Sequence, residues 1–181
     1  MSEKTENAKQ EKTENVKQEK YNTEIPKLNM AELLNKANIV RKISVKTVFG
    51  KIDARKLPNE EEPVPVIRAM GRAHGVKTGT STYGDWVAIK GDFFAVNLQT
   101  GVGYRGTQLF LPPVASELVE SVLADCESGT VDIAFDIFAF FSENSATQYE
   151  YSAKPIIESK EADPMHGLIG RVDEKLALPE K

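Results

Sequence analysis

The sequence predicts a mainly β domain with one helix: a five-stranded Greek-key barrel, the helix between strands three and four, with flexible charged tails at both ends. Three observations predict it. Apolar and polar residues alternate with a period of two in successive stretches between residues 64 and 157. One helical stripe runs through VASELVESVLADC at 114–126. Both ends carry dense mixed charge and few apolar groups, so they cannot bury enough surface to offset the entropy of ordering. At 181 residues the chain suits one domain plus tails.

The first tail, residues 1–28, opens with a tandem octapeptide, EKTENAKQ then EKTENVKQ. Met30, Leu33, Leu34 and Ala37 form a short helical pattern leading into a domain expected over residues 29–157. In IVRKISVKTVFGKI, residues 39–52, Ile43, Val45 and Phe49 fall on one side and Lys42, Ser44 and Lys46 on the other, the pattern of a half-buried strand. After the loop KLPNEEEPVP, the segment VPVIRAMGRAHGVKTG is apolar and then broken by Gly71 and Gly75, a strand that bends or carries bulges. GDWVAIKGDFFAVN, the turn LQTGVG and YRGTQLFL form a hairpin, with Gly101 and Gly103 at its connection.

Pro112 and Pro113 end that third barrel strand. The helix after it puts Val114, Leu118, Val122 and Leu123 on one stripe and Glu117 and Glu120 on the other, and Gly129 closes it. Cys126, the single cysteine, reads as a small buried residue of that helix. TVDIAFDIFAFF then points Val131, Ile133, Phe135 and Ile137 inward and Asp132, Ala134 and Asp136 outward. QYEYSAKPII is the fifth strand, and residues 158–181 form the second tail.

Strand, strand, strand, helix, strand, strand is the order of an OB-fold. The run GDWVAIKGDFFAVNLQTGVGYRGTQLFLP, followed by the helix and by TVDIAFDIFAF and YEYSAKP, resembles the single-stranded DNA-binding proteins of bacteriophages, which are OB-folds. The resemblance spans roughly residues 40–157 and rests on order of elements, not on a short motif. It implies single-stranded DNA as the ligand, coated and protected during replication or recombination. Partners would be replication or recombination proteins and further copies of the chain. With neither a membrane span nor a secretory signal, a cytoplasmic location is expected, that of a host cell if the chain is viral. The C-terminus DEKLALPEK lacks the acidic tip through which many such proteins recruit partners.

Charge is distributed to match. The formal net charge is −4, yet residues 41–110 hold eleven Lys/Arg against six Asp/Glu, while residues 111–181 hold five against fourteen. Candidate nucleic-acid contacts lie in the basic part: Arg68, Arg72, His74 and Lys77 along the bent strand; Tyr83, Trp86, Lys90 and Phe94 on or beside the second; Tyr104 and Arg105 opening the third. Trp86, Lys90 and Phe94 share one face by alternation, and Val87, Ile89 and Phe93 the other. Aromatic faces beside cations are what a base-stacking platform requires. The same aromatics have a packing reading: Trp86 closing a barrel end, Tyr104 lying against the hairpin.

GRAHGVKTGTSTYGDW, residues 71–86, echoes a phosphate-binding loop but has three residues between its first glycines and Val76 before Lys77, so that reading fails. It is expected to be a flexible connection between the first two barrel strands, with Thr78, Thr80, Ser81 and Thr82 available to phosphate oxygens. No catalytic group, metal site or cofactor is expected, since His74 and His166 have no ligand-spaced partner. Two other readings stand beside DNA binding. One is an OB-like protein-interaction module that uses the tails as contact arms. The other is a nuclease holding a divalent metal on Asp132 and Asp136.

Overall fold

The computed structural model describes residues 20–156. The octapeptide repeat and the expected C-terminal tail lie outside the described residues.

Helix α1, Met30–Asn35, starts where the Asn29 side chain accepts from the Glu32 N–H. Two short strands follow, β1 (Asn38–Ile39) and β2 (Lys42–Ser44), and then helix α2 (Val45–Phe49). The single strand expected over 39–52 is therefore corrected. Ser44 Oγ accepts from the Thr47 N–H at 3.1 Å and caps a helix in place of a continuing strand, and Gly50, at φ +79°, ends it. The inward residues are Ile43, Val48 and Ile52, a spacing that alternation does not produce.

Strands occupy the stretches where alternation predicts them, as β3 (Val64–Ser81), β4 (Gly84–Asn97), β5 (Gly103–Phe110), β6 (Val131–Phe141) and β7 (Tyr149–Pro155). Helix α3, Pro113–Ala124, links β5 to β6. One seven-stranded sheet results, in the order β1-β5-β4-β3-β6-β7, with β2 also on β5. The free edge of β5 is taken in parallel by β1 and β2, and no pairing of β5 with β7 closes the sheet among the described residues. The architecture is mainly β and broadly OB-like. The expectation of a five-stranded, partly open Greek-key barrel with one helix gives way, among the described residues, to seven strands, three α-helices and a sheet left open.

Residues 71–81 are not a flexible connection. They extend β3, paired with β4 in register to Ser81↔Gly84, and only Thr82 and Tyr83 form the turn. Hydroxyls expected to meet phosphate instead pin this hairpin: Thr80 Oγ1 donates to Asp85 at 2.8 Å, and Ser81 Oγ donates to the Gly84 carbonyl and accepts from the Tyr83 N–H.

The long strands bend where β3 slips register between Ala73 and Gly75 and β4 slips against β5 between Lys90 and Phe93. Backbones meet closely here: a Cβ on Gly91 would overlap the Arg72 carbonyl and the Phe93 ring. Gly91→Ala is therefore expected to destabilise the fold by about 2 kcal/mol through overpacking, read as a lower urea midpoint with an unchanged slope.

On one side of the sheet the main core gathers Ile43, Ile67, Ile89, Phe93, Leu109, Ile133, Phe135 and Ile137. On the other, α1 covers a smaller cluster of Met30, Met70, Phe94, Val96, Leu98 and Ala134, with Leu33 and Leu34 packed on it. Tyr21 stacks against Phe49 at 5.4 Å and its hydroxyl accepts from the Asp53 N–H, while Asn22 and Gln99 exchange two hydrogen bonds. Residues 20–28 of the expected tail thus include a strap bound to the domain. Cys126 lies past the end of α3 instead of inside it. Its thiol donates to the Thr130 carbonyl, and hydrogen bonding with Ser128 holds its pKa below the usual thiol range.

Candidate nucleic-acid interface

The β3–β4 hairpin runs past its neighbours. Pairing of β3 with β6 ends at Ala73↔Val131 and that of β4 with β5 at Ala88↔Phe110, so residues 78–87 form a two-stranded arm. Where the arm leaves the sheet, register brings three rows together on the side opposite Ile43, Ile89 and Leu109. Gly79 pairs with Trp86; Lys77 pairs with Ala88, then Phe110 and Ser44; Gly75 pairs with Lys90, then Gln108 and Lys42.

Those rows carry two aromatic rings and three lysines. Trp86 and Phe110 lie 5.5 Å apart at 45°, both partly exposed, and Lys42 Nζ sits 5.1 Å above the Phe110 ring. Lys42, Lys77 and Lys90 are exposed. A surface of this kind offers π faces to bases and point charges to phosphates.

Of the ten residues singled out in the sequence, Lys77, Trp86 and Lys90 meet here. Tyr83 stands fully exposed at the tip of the arm, and His74 is the exposed extra residue of the β3 bulge. The others are elsewhere. Phe94 is 0 % exposed beneath α1, so the expected Trp86–Lys90–Phe94 face is cut short and Phe94 is closed to a base. Tyr104 packs on the main core, and Arg105 lies farther back on β5, opposite Phe94.

Arg68 and Arg72 are clasped by carboxylates. Arg68 Nε and Nη2 donate to the two oxygens of Asp136 at 2.9 and 3.0 Å, and Arg72 Nε donates to Asp132 at 2.8 Å. The two aspartates considered as metal ligands are thus the partners of these arginines. No cluster of three His, Cys, Asp or Glu side chains suited to a metal occurs among the described residues.

Phe110 and Lys42 join this cluster, although the sequence did not single them out. Alternation in QLFL, with Leu109 and Leu111 buried, would have turned Phe110 to the opposite face; Lys42 is reached only through the parallel pairing of β2 with β5.

No family model and no solved structure matches the chain. The single-stranded DNA-binding protein of Enterobacteria phage PRD1 is 40% identical to it over 144 residues, 78% of this chain and 84% of that protein. Identity of this extent, over a mainly β, broadly OB-like domain, means that the chain belongs to the family of phage single-stranded DNA-binding proteins.

Proposed function

We propose that this protein binds single-stranded DNA without sequence preference and without catalysis, on the face formed by Trp86, Phe110, Lys42, Lys77 and Lys90. The observation that carries the reading is the pair of half-exposed rings flanked by three exposed lysines, on a sheet whose opposite side is core. Every base has a π face, so stacking is indifferent to sequence, and each stacked base contributes roughly 1–3 kcal/mol. Tyr83 at the tip of the arm and His74 at the β3 bulge extend the track. Arg68 and Arg72, already satisfied by Asp136 and Asp132, orient the sheet and contribute little to phosphate binding.

The five strands β3 to β7 then act as an OB-type unit in which the N-terminal segment, not β7, lines β5 and delivers Lys42. Coating and protecting single strands during phage replication or recombination, in the cytoplasm of the host cell, is the role that fits, with replication or recombination proteins and neighbouring copies as partners.

Affinity for oligo-dT is expected to fall steeply with salt, with quenching of the single tryptophan on binding. The triple variant Lys42→Ala, Lys77→Ala, Lys90→Ala is expected to flatten the log–log salt slope by about 2, at about 0.7 per lost phosphate contact. Undetectable binding to oligo-dT at low salt removes the proposal.

A further inference from the structure

Gly79 stands directly across the β3–β4 ladder from Trp86. A Cβ built on it would overlap Cζ2 and Cε2 of the indole and press on Cη2, so the ring lies over the glycine backbone. Cross-strand partners normally stand side by side on a sheet; a ring folds down onto its partner strand only where that partner has no side chain.

The backbone itself does not require glycine at this place. Among the described residues the glycines with positive φ are Gly50, Gly71, Gly84, Gly101 and Gly129, and Gly79 is not among them. Phe110 brackets the ring at 5.5 Å, and Ala88, paired with Phe110, is 2% exposed. The indole is therefore held from below by Gly79 and from the side by Phe110, while Trp86 as a whole is only partly buried. A ring ordered before its ligand arrives loses little further freedom on binding.

We propose that Gly79 is a positioning residue: by lying under the Trp86 indole it holds the ring flat on the sheet, its outer face presented to an unpaired base. The inference rests on the DNA-binding reading given above. Adding one methyl group at residue 79 lifts and tilts the ring, leaving the lysines where they are. Base stacking is then weakened and phosphate contact is not.

The test uses full-length Gly79→Ala beside Trp86→Ala and Gly75→Ala; Gly75 lies on the same strand, and a Cβ there meets nothing within 4 Å. Oligo-dT affinity is measured over a salt series, and the lone tryptophan is followed by emission maximum and acrylamide quenching. Gly79→Ala is expected to bind about ten-fold more weakly with the wild-type salt slope, as the loss of part of one stack requires. Its tryptophan should be red-shifted and more readily quenched, whereas the tryptophan of Gly75→Ala should keep the wild-type emission and quenching. Gly79→Ala binding within two-fold of wild type while Trp86→Ala is impaired overturns the role of Gly79 and leaves the site standing. Trp86→Ala binding like wild type overturns the site itself.

Discussion

Arg68→Ala is expected to cost about 3 kcal/mol of folding stability, because it strands a carboxylate inside the sheet. The Asp136 side chain is 7% exposed and receives two parallel N–H donors from Arg68, whose side chain is 20% exposed. The desolvation of such a charge is offset only while its partner stays in place. The next residue in the row, Lys154, pairs with Asp136 in register but holds its ammonium 5.0 Å above the Phe138 ring, so it is not positioned to take over. Urea denaturation gives the readout. A loss below 1 kcal/mol would show that water reaches Asp136 freely. The double variant Arg68→Met, Asp136→Leu removes both charges and is expected to recover most of the loss. The Arg72–Asp132 pair, with side chains 62% and 42% exposed, belongs to the weaker, water-screened class.

These pairs also show what local pattern in a sequence can and cannot convey. Arg68 and Arg72 are four residues apart, as are Asp132 and Asp136, and antiparallel pairing of β3 with β6 sets each arginine opposite an aspartate. Both spacings are visible in the sequence, but only the register joins them, and register is set by the whole sheet. Read alone, the arginines resemble phosphate contacts and the aspartates resemble metal ligands.

Alternation located the first part of β3 and β4 to β7, and the helical stripe located α3, because each turns an apolar face toward the main core. It failed where a strand is covered on both sides: Phe94 sits on the outward face that alternation gives it, but α1, Met30–Asn35, arrives there from far upstream in the chain. It failed again at residues 71–81, where glycines suggested flexibility. Those glycines serve other purposes. Gly71 admits a neighbouring backbone and ring at the bend, as Gly91 does from β4, and Gly79 admits an indole. The N-terminal segment was the least legible part, since Ser44 caps a helix and β1 and β2 add to β5 in parallel, a long-range pairing with no local signature.

Trp86→Ala is expected to lower affinity for single-stranded DNA by 1–3 kcal/mol, roughly five- to 150-fold, the largest effect of any single substitution on binding. Two roles of the ring fall together in this variant: its open face is lost to the base, and Phe110 loses the neighbour that fixes it at 5.5 Å. Phe110→Ala should therefore be weaker in effect but not additive with it, since each ring positions the other. Charge is untouched in both, so the salt slope should stay at its wild-type value while the affinity extrapolated to 1 M salt falls. The lysine variants should do the reverse, flattening the slope and sparing the high-salt affinity. Trp86→Phe retains a π face and is expected to keep most of the binding. If Trp86→Ala instead reduced the slope and left high-salt affinity intact, the ring would be acting through the placement of Lys77 and Lys90, and stacking on this face would have to be abandoned.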